Sequence, residues 1–443
     1  MDIALRTLNE ARSGVTPHAA LTDYKHALDF LFARTTGGYK FGLERTVELL
    51  DHLGNPHRKY PSLHIAGTNG KGSSVATMGA LLTARGLRVA TYTSPHLVDF
   101  RERMIVGGEP IAPEAVVGFV ERNLPVIEEI GTSFFEATTA MAFEFFANSG
   151  ADIAVIETGL GGRLDSTNVV SPLAAGVTSI GFDHMEYLGS TLEAIAGEKA
   201  GIFKANADAI IGERDRRIRE LLASHARDAG ASRIRIVADE MSVLDVRVDE
   251  TGTECTIAWN GEQTTLHTPL AGEHQAANLA FALVMLDSVH ALAPLDSVAA
   301  QLHAVRIPGR FQRTGKFIFD VAHNPAGTAV LTQTLKSVDP PTPISVVMCV
   351  LRDKDWREMI RALSGVVSSF VLTNAPTAPA SREWDLAEAE TFALDLGLDV
   401  AAIPDFAAAI ERAQSVATTV VVTGSFHTVG DAMSLLQVSP LAG

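Results

Sequence analysis

Short apolar runs recur along the chain and alternate with longer stretches whose apolar residues fall at helical spacing. Leu63-Ile65, Val89-Thr93, Ile153-Ile156 and Ala175-Ile180 read as strands, and Phe317-Phe319, Ile344-Val350, Phe370-Thr373 and Val420-Thr423 read as a later set. Val75-Arg85, Pro113-Ile130 and Leu192-Phe203 read as helices between them, with Ser190 and Glu193 as a capping box opening the last. Strand–helix alternation predicts parallel sheets covered by helices. The stretch Val243-Pro269 differs. Leu244, Val246 and Val248 alternate with polar residues, Glu250-Thr251-Gly252 reads as a turn, and Cys255, Ile257 and Trp259 alternate again, which predicts a small antiparallel β-insert. Pro308-Gly309 breaks the helical pattern of His303-Arg313 and a new strand–helix series follows. Two domains are expected, residues 1–305 and 306–443, the first with a mainly parallel central sheet plus the insert.

Length supports that division, because 443 residues exceed what one hydrophobic core usually holds. Lys and Arg number 36 against 52 Asp and Glu, giving a formal charge of −16. An acidic surface argues against nucleic acid, since phosphate backbones demand clustered cations. Any anionic substrate must then be held by local cations. Cys255 and Cys349 show no paired spacing, and Cys349 lies inside an apolar run, so a reducing cytoplasm is expected. Met1-Asp2-Ile3-Ala4 lacks the basic start of a secretory leader, and no apolar run reaches the roughly 18 residues of a membrane helix, so no membrane partner is expected.

The strongest chemical signal is Ala66-Gly67-Thr68-Asn69-Gly70-Lys71-Gly72-Ser73, set between a short strand and a helix-forming run. Glycines let backbone N–H groups converge on a phosphate, and a helix N-terminus adds partial positive charge. Lys71 can reach outer phosphates and Ser73 can approach a metal ion. The usual G-x-x-x-x-G-K-[ST] spacing is not met: a glycine separates Lys71 from Ser73 and Gly67 lies close to Gly70.

Polar residues also follow several strands directly: Ser94, Glu157, the pair Asp183-His184, and Asp320. Ligands of parallel α/β sheets collect at the carboxyl ends of strands. Ser94, Glu157 and His184 would therefore converge beside the phosphates, where a hydroxyl, a carboxylate and an imidazole suit Mg2+. Taken singly, such a serine can be a helix cap and such a histidine plain structure. The glycine-dense Thr158-Gly159-Leu160-Gly161-Gly162-Arg163 after Glu157 suggests backbone approach to a ligand. Lys199 alone reads as a solvated helix lysine. Gln275 and Asn278, one turn apart, face either one ligand or solvent. Arg310 is either a cation that reaches the nucleotide or a surface charge.

Together these segments, with Thr93-Ser94-Pro95-His96-Leu97, Phe135-Glu136, Glu157 to Asn168, Glu198-Lys199-Ala200-Gly201, His274-Gln275, Pro308-Gly309-Arg310 and Asp320 to Pro325, run in one order across most of the chain. They resemble the folylpolyglutamate synthase/dihydrofolate synthase family of the Mur ligase group. The resemblance implies a phosphate-loop ATPase domain and a smaller C-terminal Rossmann-like domain that helps hold glutamate. It implies ATP and Mg2+ as cofactors, with K+ a further candidate, and a monomeric cytoplasmic enzyme. Thr68, Asn69, Gly70, Lys71, Gly72, Ser73, Gln275, Asn278, Arg310 and Asp320 would bind ATP. Ser94, Glu157 and His184 would hold the metal, and Lys199 would be carbamylated. Ser133, Phe134, Phe135, Glu136, Leu164, Asp165 and Ser166 would hold the pterin, with Phe135 as a stacking ring. His323, and with it Ser425, falls in segments the family uses for glutamate.

The implied activity joins L-glutamate to dihydropteroate and to folates through an acyl phosphate. Lys71, Glu157, His184, Lys199 and His323 are its expected catalytic set. Positioning and charge neutralisation dominate such chemistry. A cell-wall Mur ligase is one alternative, although about 66 residues before Gly67 are too few for its UDP-binding domain. A nucleotide-hydrolysing switch without ligase activity is another.

Overall fold

The structure is a computed structural model and describes residues 23–35 and 42–441. Met1-Asp2-Ile3-Ala4, read for a leader, lies outside the described residues. Eight strands make the first sheet: β1 (Ser62–Ala66), β2 (Val89–Tyr92), β3 (Met104–Val106), β4 (Glu109–Pro110), β5 (Ile153–Glu157), β6 (Ala174–Val177), β7 (Asp208–Ile211) and β8 (Ile234–Ile236), in the order β4-β3-β2-β5-β1-β6-β7-β8. Pairing from β2 through β8 is parallel, and β3 and β4 add an antiparallel edge. The central strands β1 and β5 are buried at every position, as strands covered on both faces must be.

On one face Leu63, Ile65 and Val155 pack against Val75, Met78 and Leu82 of the helix Lys71–Ala84 and against the buried helix Glu273–Ser288. Each such aliphatic or aromatic side chain, fully buried, contributes about 1.5–3 kcal/mol. On the other face Tyr92, Ala154 and Ile156 meet the helix Phe134–Asn148.

The β-insert forms a three-stranded antiparallel sheet in the order β11-β10-β9 from β9 (Met241–Asp249), β10 (Gly252–Trp259) and β11 (Glu262–Thr268). Cys255, Ile257 and Leu266 turn into the first core, whereas Val248 packs on the core of the second lobe. That lobe holds six strands: β12 (Gln312–Thr314), β13 (Phe317–Phe319), β14 (Ile344–Met348), β15 (Ser369–Leu372), β16 (Val400–Ala402) and β17 (Thr419–Thr423), in the order β12-β13-β17-β14-β15-β16. All its pairings but β12–β13 are parallel. The fold is therefore α/β with two lobes, each built on a largely parallel sheet.

Two local expectations need correction. The strand read as Ala175-Ile180 ends at Val177, because Thr178 and Ser179 turn their side chains onto the Asn69 carbonyl, at 2.7 Å and 3.0 Å. The helix Leu192–Ala200 is capped by Thr191, whose side chain accepts the Ala194 N–H, and not by Ser190. Either residue satisfies the sequence rule; the backbone places Thr191 in the extended cap conformation. Both cysteines are buried and free, and no described helix is long and apolar enough to cross a membrane.

Candidate active site

Parallel pairing puts the ends of β1, β2, β5 and β6 at one edge. Register aligns Ile65 with Glu157, Tyr92 with Ile156 and Ala66 with Val177. The segments that follow, 67–73, 93–94, 157 and 178–184, are thereby brought together.

The loop after β1 turns on Gly67 and Gly70, at φ 153° and 88°. A Cβ on Gly70 would lie 2.3 Å from the Asn278 side-chain oxygen, so only glycine fits between loop and helix Glu273–Ser288. Gly70 caps the helix Lys71–Ala84 without any side-chain acceptor, which leaves its first N–H groups available to an anion. Lys71 curls over its own loop, with Nζ 3.0 Å from the Gly67 oxygen and 3.2 Å from that of Thr68. It also stands 3.9 Å from Glu157 Oε1. Thr68 is fixed by bonds to both sides of the Gly181 peptide, and Asn69 by Ser179. Ser73 is buried on the first turn. Gln275 is buried as well and accepts from Asn278 Nδ2 at 2.9 Å, so these two face the loop and not solvent.

Glu157 is only 5% exposed. Burial pushes its carboxyl pKa up, opposed by the charges of Lys71 and Arg310. The Ser94 N–H, beside a cis Ser94–Pro95 bond, reaches Glu157 Oε2 at 3.4 Å. His184 has its Nε2 3.9 Å from Asp183 Oδ1, and its pKa falls to about 4, first through burial. Among the described residues no three His, Cys, Asp or Glu side chains already form a metal cage. A cation here would draw on Glu157, neighbouring hydroxyls and its own ligands, which suits a hard ion that keeps water and phosphate oxygens.

Lys199 is 5% exposed and donates to the Gly67 oxygen at 2.9 Å. It is thus no solvated lysine. Burial, then the nearby Lys71, lowers its pKa to about 7, so much of it is a neutral amine near neutral pH.

The second lobe supplies the opposite wall. Arg310 lies over the Phe426 ring at 5.4 Å, within electrostatic reach of Asp320 and Glu157. Asp320 accepts the Phe311 and Ala322 N–H groups, both at 2.9 Å. Asp183 of the first lobe takes three donors from the second: Lys354 Nζ at 2.7 Å, and His323 Nε2 and Asn324 Nδ2 at 3.3 Å each. Burial works to raise the Asp183 pKa, but the His323 bond and the charges of His184, His323 and Lys354 outweigh it and hold the carboxyl far below its usual range. Lys354 and Asn324 were not singled out from sequence. Lys354 does lie in the loop after a buried parallel strand, but its partner Asp183, 171 residues away in the chain, is not legible in the sequence.

The pterin residues divide. Phe134 stacks on Phe32 with centroids 5.1 Å apart, and the Arg103 guanidinium sits 5.2 Å from the Phe134 ring. Phe135 is half-buried. Ser133 and Glu136 form a reciprocal capping box on their helix, and Arg45 pairs with Glu136 at 2.8 Å. Asp165 caps the short turn Ser166–Val169 and accepts the Leu160 N–H at 2.7 Å; Ser166 is buried and Leu164 half-buried. Two of the glycines after Glu157 are required by neighbouring protein atoms. A Cβ on Gly159 would lie 2.3 Å from the Phe135 ring, and one on Gly162 2.8 Å from the carbonyls of Glu198 and Lys199. Ser425 likewise caps its helix, accepting the Thr428 N–H at 3.0 Å.

This chain is similar to known proteins along nearly all of its length. The Mur ligase middle domain matches residues 65–286, and the Mur ligase glutamate ligase domain matches residues 309–426. The dihydrofolate synthase/folylpolyglutamate synthase of Mycobacterium tuberculosis is 35% identical over 97% of both chains. Among solved structures, Escherichia coli FolC in complex with DHPP and ADP superposes with a TM-score of 0.84 at 31% identity, covering 95% of this chain and 99% of that one. A bifunctional folylpolyglutamate synthase/dihydrofolate synthase with Mn, AMPPNP and L-glutamate bound superposes at 0.81 with 31% identity, covering 94% and 99%. The chain belongs to the dihydrofolate synthase/folylpolyglutamate synthase family of Mur ligases.

Proposed function

We propose that this chain uses ATP to join L-glutamate to dihydropteroate and to folates, including folates that already carry glutamate. The observation that carries the reading is the pairing of an uncapped helix N-terminus and Lys71 with the buried carboxylate of Glu157, 3.9 Å away. A phosphate-binding cradle and a desolvated anion side by side call for a cation between them.

Glu157, the Ser94 and Ser73 hydroxyls and His184 are the groups that would hold Mg2+. When bound, the ion supplies charge neutralisation at the outer phosphates. The loop N–H groups and Lys71 hold the phosphates, and Gln275 and Asn278 brace the loop from behind. The substrate carboxylate attacks the γ-phosphorus, the bond to the bridging oxygen breaks, and ADP leaves. The product is an acyl phosphate, whose carbonyl carbon is far more electrophilic than that of a carboxylate. The glutamate amine attacks that carbon, loses a proton, and expels inorganic phosphate. Lys71 and Arg310 offset the negative charge in both steps.

Lys199 in its neutral form can add CO2: its nitrogen bonds to the carbon, one C=O pair moves onto oxygen and the N–H proton leaves to solvent, so a carbamate anion stands beside Gly67 where a protonated lysine would be a cation. His323, next to Lys354 and Asn324, belongs to the wall from which glutamate would approach. Phe134, Phe135 and the Leu164-Asp165-Ser166 turn lie on the pterin side, with Ser133 and Glu136 holding the helix that carries the two rings. K+ near the nucleotide and a monomeric state complete the proposal.

The test supplies ATP and L-glutamate with dihydropteroate or with tetrahydrofolate and follows phosphate release. Both acceptors should stimulate it, and only with glutamate present. Stimulation by neither contradicts the substrate assignment. Full-rate release without glutamate would mark a nucleotide-hydrolysing switch. Replacing K+ by choline and sedimentation of the free enzyme check the last two points.

A further inference from the structure

His64 stands in the middle of β1. Its neighbours Leu63 and Ile65 enter the core beneath helix Lys71–Ala84, so His64 points to the other face, and it is fully buried. Central parallel strands normally carry aliphatic residues at such positions. Among the described residues the imidazole has a single polar contact: Nε2 lies 2.8 Å from Thr167 Oγ1. That hydroxyl donates in turn to Asp165 Oδ1. A hydroxyl has one hydrogen, and here it goes to the carboxylate, so His64 is the donor and carries its proton on Nε2. Nδ1 remains buried without a partner among the described residues. Burial, then the Lys204 charge, lowers the imidazole pKa to about 3, which keeps the ring neutral in the working range. Asp165 also accepts the Thr167 N–H at 3.0 Å and the Leu160 N–H at 2.7 Å. One carboxylate therefore closes the turn of residues 160–167.

We propose that His64 and Thr167 are positioning residues for the pterin half of the substrate: His64 aims the Thr167 hydroxyl at Asp165, and Asp165 so held fixes the turn that presents Leu164 and Ser166. This rests on the reading of that turn as part of the pterin subsite. A core imidazole with an orphaned nitrogen is a poor packing choice, and what it provides is a directed bond that an aliphatic residue cannot make.

Initial rates of the full-length enzyme, varying dihydropteroate, ATP and glutamate in turn, test the relay. Thr167→Val keeps the shape and removes the hydroxyl. It should raise KM for dihydropteroate at least tenfold while KM for ATP and for glutamate stays within twofold. Thr167→Ser should return the pterin KM to within threefold of the parent. His64→Leu should act like Thr167→Val, and His64→Gln, whose amide nitrogen can stand near Nε2, should recover much of the loss. Unchanged pterin KM in Thr167→Val overturns the proposal. So does a parallel rise in all three KM values without rescue by serine, which is the mark of a merely structural role. Asp165→Asn separates the two layers. If it raises pterin KM while Thr167→Val does not, the relay fails and the subsite stands. If neither variant moves it, the subsite reading fails too. An effect of Thr167→Val without one of Asp165→Asn overturns the route through Asp165.

Discussion

Lys354 Nζ donates to Asp183 Oδ1 at 2.7 Å, and that bond crosses from one lobe to the other. Both side chains are only 10% exposed. Removing Lys354 leaves Asp183 with only His323 and Asn324, each at 3.3 Å, and costs less than the about 3–5 kcal/mol of a buried charge left wholly unpaired. Lys354→Ala should therefore bias the lobes apart. Small-angle scattering should show a larger radius of gyration for the free enzyme, and kcat/KM should fall at least tenfold. Parent-like scattering and kinetics would remove the pair from any role in lobe docking.

A second lobe contact is steric. Gly430, on the helix Phe426–Leu435, faces the Leu97 carbonyl, where a Cβ would come within 2.1 Å of the oxygen. Backbone cannot retreat as a flexible side chain can. Gly430→Ala should impair docking and lower kcat while an isolated thermal transition of the second lobe stays unchanged. An alanine variant with parent activity would show that the contact yields easily.

Glu157 is the anion on which the nucleotide reading depends. Glu157→Gln keeps the volume and removes the charge, and phosphate release at ordinary magnesium should drop by about a thousandfold, equivalent to about 4 kcal/mol of transition-state stabilisation. A rate within threefold of the parent refutes its role.

Lys199 links pH to activation. Its pKa of about 7 in the folded chain lies below the roughly 10.4 of an unfolded lysine. The amine thus turns neutral, and able to take up CO2, as pH rises through 7. Activity restored by bicarbonate should increase between pH 6 and 8. The stability sign follows the same shift. Between pH 7 and about 10.4 the unfolded chain binds the extra proton, so the Lys199 penalty on folding shrinks as pH rises through that window and is full below it. Lys199→Ala should lose activity and regain part of it with a small added carboxylate. No rescue, with a bare amine in an electron-density map of the parent, contradicts carbamylation.

The alternation of apolar runs was enough to expose both parallel sheets and the insert, because a strand buried on both faces leaves an uninterrupted apolar signature. Glycine density and a lone lysine marked the loop between β1 and the helix Lys71–Ala84. What sequence could not show was partnership. Gly159 and Gly162 read in sequence as backbone approach to a ligand, and what the structure shows to require them is the Phe135 ring and two carbonyls, where a Cβ would clash. Lys199 reads as solvated and is held inward by the Gly67 carbonyl, and Asn278, open between ligand and solvent in sequence, packs its side chain against Gly70; both partners lie far away in the chain. Lys354 gains meaning only once β14 lies beside β17 and faces Asp183. Each of these depends on tertiary neighbours that no local pattern encodes.

The most direct test of the chemistry follows oxygen. Dihydropteroate carrying 18O in its carboxylate is turned over with ATP and glutamate, and the inorganic phosphate is analysed by mass. Activation as an acyl phosphate predicts one 18O in each phosphate released. Amide formation with unlabelled phosphate would contradict it.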